Sequence, residues 1–431
     1  MDVQHVPNDV RKHAKTLIMH HLYTGFSGIN EYESQVALQL LNKYMLYEGN
    51  CSILGQQKKS SPIGAAFANG VLMHSIQQED TYKGLHPGPH VLPVSFSLGE
   101  ELLLDGHQIL SSIIAGYETN IVIGDLCAKH TSPRGWRGTT IFGVLGAAAA
   151  GARVLQLNQE KTVHAIANSI NLASGLMECW LAGTSEWLFT SGISAQNGVI
   201  SSLLAKEGAD GAKTSFEGDR GFFKAYCGVQ PENVVSDLEQ LGKRYNIPEV
   251  SLKSYPVITT ILPVIHNVVQ LINTNNIVNS KIKSVHIIAG LRVTKGPLQS
   301  SILDSGPFIN KTQAYKSIPC ATGIALRYGN VTGRTVEYFQ DKDVAHLAKQ
   351  VKITSDESYE GFYNTVSITT EDGSNFEISG DEFPSLTAEQ VIMNLRNSAT
   401  KYLSMEKIDA LIERINRIEN IPMSEISECL S

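Results

Sequence analysis

The chain has 431 residues, 42% of them hydrophobic and 18% charged, which supplies ample apolar side chain for a large core. Lys and Arg number 35 against 42 Asp and Glu, a formal net charge of −7. With no basic block, this balance argues against a nucleic-acid binder and against a polybasic membrane address.

From the N-terminus, ESQVALQLLNKYMLYEG carries apolar residues at helical spacing and stops at Gly49. SPIGAAFANGVLMHSIQQ enters a helix at Ser61-Pro62. VLPVSFSLGEELLLDGHQILSSIIAGYETNIVIGDLCAKH predicts a long helical stretch punctuated at Asp105-Gly106. TIFGVLGAAAAGARVLQL is rich in Gly and Ala; small residues let helices approach closely, so it is expected at the centre of a bundle. KTVHAIANSINLASGLMECW reads as another apolar helix. After about residue 250 the pattern changes. KSVHIIAGLRVTKG alternates and is β-branched like a strand, and GNVTGRTVEYF, HLAKQVKITSDE and FYNTVSITTEDGSNFEISG read as short strands and turns. SIPCATGIALRYG reads as a helix ending at Gly329, and TAEQVIMNLRNSATKYL and MEKIDALIERINRIEN return to helix. The fold class is therefore mainly α. A large helical domain is expected from 1–254 and 386–431, with a smaller α+β domain inserted at 255–385.

No apolar run approaches the roughly 18 residues of a membrane span, and the polar start MDVQHVPNDVRKHAK lacks the apolar stretch of a secretion signal. Six scattered cysteines without a C-x-x-C pair read as reduced, mostly buried thiols of a cytoplasmic protein. There is no Walker A loop, no dinucleotide fingerprint, no H-E-x-x-H and no G-x-S-x-G elbow. No metal, cofactor or covalent nucleophile is implied, which leaves side-chain acid–base chemistry or binding alone.

The densest polar cluster is the segment 77–88. Between Glu79 and His86 it holds two carboxylates, a hydroxyl, a phenol, an ammonium and an imidazole. His86 is the best single acid–base candidate, because imidazole titrates near neutrality; the blander reading is a polar turn between helices. A second cluster, 130–140, contains Arg134 and Arg137, which can grip a carboxylate, or stand solvated on a surface loop. Trp187 and Phe189 suit a pocket wall or a plain core. Lys253, in Lys253-Ser254-Tyr255-Pro256 at the expected domain boundary, can anchor an anion or donate a proton.

In this order the segments FANGVLMHSIQQEDTYKGLHPGPHVLPVSFSLGE, GTTIFGVLGAAAAGARVLQL, LLAKEGADGAKTSFEGDRGFF, LKSYP, SIPCATGIALRYGNV and GDEFPSLTAEQV resemble the MmgE/PrpD family. That family includes 2-methylcitrate dehydratase, cis-aconitate decarboxylase and iminodisuccinate epimerase. The resemblance implies a helical main domain, an inserted α+β lid, a homodimer, an active site in the cleft between the domains and no cofactor. It also assigns residues. His86 matches the histidine of the H-P-G/S motif, Thr81 the threonine of D-D-T, and Lys253 the lysine of K-x-Y/F-P. Elsewhere the pattern departs. Gln77 replaces an aspartate, Arg137 replaces the histidine of G-F-H after Trp136, Trp187 replaces a lysine, Thr190 a histidine, and Cys320 the tyrosine of S-x-P-Y. Thr259 and Leu262 replace an arginine and a histidine.

The expectation is a cofactor-independent lyase or isomerase acting on a small organic acid. It would remove a proton next to a carboxylate or carbonyl and then dehydrate, decarboxylate or epimerise. His86, Lys253, Thr81 and Tyr82 are the expected catalytic residues; Arg137, Gln77, Asp80, Trp136, Trp187 and Cys320 the expected substrate contacts. Lost cationic positions imply a substrate with fewer carboxylates than citrate-type compounds, because buried charge must be paired. The alternative is a catalytically inactive member serving as a binding or regulatory subunit.

Overall fold

The computed structural model describes residues 3–45, 48–277 and 281–430. The chain divides into two compact units. Met1–Met177, Glu186–Leu252 and Thr387–Ser431 form one; Glu178–Ser185 and Lys253–Leu386 form the other. The division differs from the expected 254/255 and 385/386 limits in two respects. Lys253, Ser254 and Leu386 go with the second unit, and so does the short excursion Glu178–Ser185. That excursion has no compositional signature, since a five-residue helix at Glu178–Ala182 looks the same in either unit.

The chain is mainly α. The longer helices of the first unit are α1 Asn8–Gly28, α2 Tyr32–Leu40, α3 Pro62–Leu72, α4 Gly88–Glu101, α5 Gly106–Thr131, α6 Gly138–Val154, α7 Gln159–Ile170 and α8 Glu186–Lys206. Local chemistry fixes several of their ends. The Ser61 hydroxyl accepts from the Gly64 N–H ahead of Pro62, an N-cap with proline in the first turn. Asp105 and Gln108 form a capping box at the start of α5. Helix α6 is central: every residue from Thr139 to Ala152 is buried, and it packs on α4, α5, α7 and α8. Its composition allows this. A Cβ on Gly146 would meet the Gly116 carbonyl of α5 at 2.7 Å, and one on Gly198 of α8 would meet the Ala147 Cβ at 2.3 Å. Near the C-terminus α12 Ala388–Ala399, started by a Thr387–Gln390 capping box, packs against α1, and α13 Met405–Asn416 follows it.

Two short strands belong to the helical unit. β1, Asp80–Thr81, pairs antiparallel with β2, Ser251–Leu252, Asp80 opposite Leu252. The second unit holds a four-stranded sheet of β3 Ile282–Ala289, β4 Val351–Ser355, β5 Asn364–Thr370 and β6 Asn375–Gly380, in the order β4-β3-β5-β6. β3 and β4 run parallel; the other pairs are antiparallel. Helix α9, Leu262–Asn275, packs on β5, β6 and α10, Ile318–Tyr328; α10 also packs on α11, Lys342–Lys349. α10 ends at Gly329 in the left-handed region (φ 77°).

Four expectations change. In HLAKQVKITSDE the residues His346–Lys349 close helix α11 and only Val351–Ser355 is strand. The helix expected in KTVHAIANSINLASGLMECW stops at Ile170, and a turn containing Gly175 (φ 118°) follows. GNVTGRTVEYF forms no strand: the hydroxyls of Thr332 and Thr335 each take the other's backbone N–H, diverting the chain into a 3-10 turn at Thr335–Tyr338. Helix α2 ends at Leu40 and runs on as a π-turn to Met45; positions 46 and 47 of that expected helix lie outside the described residues. Among the described residues no helix is long and apolar enough to cross a membrane.

Candidate active site

The segment 77–88 is a folded, buried plug in the helical unit. Tyr82 and Leu85 exchange both backbone hydrogen bonds, 2.9 and 2.8 Å, across Lys83 (φ 51°) and Gly84 (φ 94°). Two consecutive positive φ values make a type I′ hairpin turn, for which Gly84 supplies the freedom. Leu85 fills the space over Gly124 of α5. At the other end of the segment the Asp80 carboxylate accepts the Gly88 N–H at 3.2 Å, where α4 begins and negative charge is favoured.

Histidines from three helical segments and two adjacent carboxylates converge there. Glu79, fully buried, lies 3.3 Å from His86 Nδ1 through Oε1 and 3.6 Å from His74 Nδ1 through Oε2. Arg137, the residue before α6, donates from Nη2 to His74 Nε2 at 2.8 Å, and from Nη1 to the Trp187 carbonyl and the Thr190 hydroxyl. A guanidinium has no acceptor, so His74 must present a lone pair at Nε2 and carry its proton on Nδ1, towards Glu79. The His86 ring is fixed in the same way. Its Nδ1 donates to the Asp80 carbonyl at 2.6 Å, which leaves the lone pair on Nε2. A line of groups results: Arg137, His74, Glu79, His86. All four are buried, and His86 is the least enclosed, with side-chain exposure of 10% against 1% for His74 and 0% for Glu79.

A second layer supports the first. His21 Nε2 faces Asp80 at 3.3 Å and the Tyr117 hydroxyl at 3.4 Å. His20 Nε2 donates to the Gln78 carbonyl, and Tyr23 donates to the Gln78 side chain. Burial, and then the charges of His20 and His90, hold His21 well below the usual imidazole range. Burial holds His90 down at about 3, helped by the Arg137 charge and then by His86. Both rings are therefore neutral at pH 7. Burial, and then the Asp80 charge, push the Tyr117 phenol well up.

Of the expected residues, His86, Arg137 and Trp187 come together, with Trp187 edge-on to His74 at 5.1 Å and beneath the Arg137 guanidinium at 5.3 Å. Several others have protein partners of their own. Arg137 is buried among protein acceptors rather than presented as an open carboxylate clamp, and Arg134, expected to share that task, is exposed against Gly228. The Asp80 carboxylate is turned inward and holds the start of α4. The Thr81 hydroxyl accepts the Gly84 N–H at 3.3 Å. Tyr82 donates to Asp125 at 2.8 Å, beside Lys83. Gln77 is buried at φ 56°. Trp136 packs on Tyr226, ring centroids 4.6 Å apart, and Phe189 joins an apolar cluster with Ala37, Phe67 and Val71.

Lys253 and Cys320 belong to the second unit. Lys253 is fully buried and pairs by backbone with Ser385. Cys320 lines an apolar cavity of about 250 Å³ with Phe308 and Phe339; burial, and then the Asp304 charge, push its thiol up to about 12. Among the described residues, no group of three or more His, Cys, Asp or Glu side chains is arranged to hold a metal ion.

Sequence reasoning missed His21, His74, His90 and Tyr117. A signal existed, since each interrupts an apolar helical run, where a polar ring is costly without a buried partner.

Residues 1–234 match the model of the MmgE/PrpD N-terminal domain, and the chain belongs to that family. It is similar to the cis-aconitate decarboxylase of Homo sapiens, 25% identical over 445 residues that cover 98% of this chain and 90% of that protein. The Mus musculus cis-aconitate decarboxylase is 24% identical over 448 residues, covering 98% and 89%. The cis-aconitate decarboxylase-like protein oryM of Aspergillus oryzae is 28% identical over 266 residues, 58% of this chain and 54% of that protein, so the match spans about half of its length.

Proposed function

We propose that this protein is a lyase or isomerase acting on a small organic acid, with His86 as its proton-transfer group. The observation that carries the reading is the Glu79–His86 pair: a buried carboxylate 3.3 Å behind the less enclosed histidine of the line. An imidazole of fixed tautomer backed by a carboxylate is a general base at Nε2 and, once protonated, a general acid. As a base it would take the proton from the carbon next to a carboxylate, leaving the electron pair as an enolate for elimination or reprotonation. In a decarboxylation, the C–C bond breaks, CO2 leaves, and the imidazolium returns a proton to the carbanion. The cis-aconitate decarboxylase relatives favour the second course. Lys253 is proposed to bind the substrate carboxylate; the residue before it, Leu252, is the one that pairs with Asp80.

The substrate is proposed to carry fewer carboxylates than citrate-type compounds, because Arg137 is already engaged by Trp187, Thr190 and His74. One observation favours the inactive-subunit reading: Trp187 is buried against both His74 and Arg137, packing apolar surface where the family motif has a lysine.

One experiment tests all three points. The protein is incubated in deuterated water with cis-aconitate and with a panel of mono- and dicarboxylic acids, and followed by proton NMR. The wild type should exchange or convert one of the simpler acids. His86→Gln should lower that rate by about 10²–10⁴-fold with an unchanged circular dichroism spectrum. An unaffected rate in the variant removes His86 from the mechanism. Conversion of cis-aconitate as the best substrate removes the reduced-charge argument, and inertness towards the whole panel favours the binding subunit.

A further inference from the structure

Two of the six cysteines meet inside the helical unit. Cys127 lies near the C-terminal end of α5, and Cys227 closes the π-turn Phe223–Cys227, which packs on α5. Both thiols are free and both residues are buried. Far apart in the chain, their side chains are hydrogen-bonded to each other. Neither belongs to the histidine line.

The surroundings treat the two sulfurs differently. The hydrogen bond from Cys127 pulls the Cys227 thiol below its usual range, against burial and with help from the Arg134 charge. The same bond, and then burial, push Cys127 up. The Cys127 S–H is therefore the donor, and the Cys227 sulfur is the more thiolate-like of the two. The Arg134 guanidinium is exposed and lies against the next residue: a Cβ on Gly228 would meet its Nη1 at 2.8 Å. Gly228, Val229 and Gln230 are exposed, so the chain reaches solvent one residue after Cys227. Other thiols are held differently. Cys51 donates to the Ser97 carbonyl at 3.1 Å, and burial pushes Cys320 up to about 12.

We propose that Cys127 and Cys227 are a reversible disulfide site, with Cys227 the attacking sulfur, Cys127 the resolving one and a hydroperoxide the oxidant. The Cys227 thiolate attacks a peroxide oxygen, the O–O bond breaks, and the hydroxide that leaves takes up the proton Cys227 had lost. Cys227 is then a sulfenic acid. The Cys127 sulfur attacks it, the S–O bond breaks, and the second hydroxide leaves as water with the Cys127 proton. In sum two thiols lose two electrons and two protons, and hydrogen peroxide becomes two waters. The new bond ties α5 to a turn whose Tyr226 packs on Trp136.

The whole protein is treated with stoichiometric hydrogen peroxide, its remaining thiols are capped with N-ethylmaleimide in denaturant, and its peptides are mapped by mass spectrometry. Two of the six thiols should escape capping, and one pair of peptides should be joined through Cys127 and Cys227. Dithiothreitol should restore all six. In Cys127→Ser, which lacks the resolving thiol, dimedone should capture a sulfenic acid at Cys227. Cys227→Ser should consume peroxide about tenfold more slowly than the wild type. The wild-type map stands by itself should a serine variant fail to fold. Six capped thiols after peroxide overturn the proposal. So does a joined pair elsewhere in the chain, or a sulfinic acid at Cys227 with no joined pair.

Discussion

A guanidinium can only donate, and that fact fixes the state of the ring beside it. Arg137 holds His74 neutral, directs the His74 proton towards Glu79, and leaves Glu79 as the counter-charge for His86. Position 77 is a glutamine, and the carboxylate beside His86 is that of Glu79. Glu79→Gln would remove that counter-charge. Turnover should then fall by about 10²–10⁴-fold, the worth of a positioned acid–base group. Proton NMR of substrate conversion, with circular dichroism of the folded variant beside it, reads this. An unaffected rate would mean that the Asp80 carbonyl, not Glu79, prepares the His86 ring.

At the scale of elements, two kinds of glycine separate cleanly. Gly198 lets α8 lie against α6: a Cβ there would come within 2.3 Å of the Ala147 Cβ and 2.8 Å of its backbone carbon. Neither atom can swing aside, so Gly198→Ala should destabilise the protein by about 1–3 kcal/mol through overpacking. At Gly84 a Cβ would meet nothing within 4 Å, but the backbone φ is 94°. Gly84→Ala should therefore cost only the left-handed backbone penalty, about 1 kcal/mol. Urea unfolding followed by circular dichroism measures both. Equal costs would show that the helix interface yields more readily than its geometry suggests.

For the whole molecule, the buried histidines set how stability responds to acid. His21 and His90 are held neutral in the fold, His90 at about 3, whereas in the unfolded chain each protonates near 6.5. Below pH 6.5 the unfolded state therefore binds more protons than the folded one. Stability should fall with falling pH by about 1.4 kcal/mol per pH unit for each ring, down to the folded-state value. Their contribution is fully present above 6.5. Urea midpoints measured from pH 7.5 to 4.5 should show this slope, made shallower by about one ring's share in His90→Asn. Parallel curves for wild type and variant would mean that other groups set the acid limit.

Much of this architecture is legible in the chain itself. The Ser61-Pro62 entry, the Asp105-Gly106 break, the Ala-rich centre of α6 and the Gly329 stop are local events, decided by capping, by φ freedom and by the spacing of apolar side chains over a few residues. The family motifs likewise pointed to His86. What a side chain touches is not local. Nothing within a few positions of Asp80 says that its carboxylate will face His21 and hold Gly88, or that Tyr82 will turn to Asp125 instead of the imidazole. Nor does the run around Arg137 reveal that three acceptors, from α8 and the turn after α3, will already occupy it. The sequence by itself determined several helix starts and stops and which residue types can carry a proton; it left α1, α8 and α9 unread. The tertiary structure alone decided which of those groups meet. Pairing between buried polar atoms depends on distances between segments far apart in the chain, and only the packed helices set those distances.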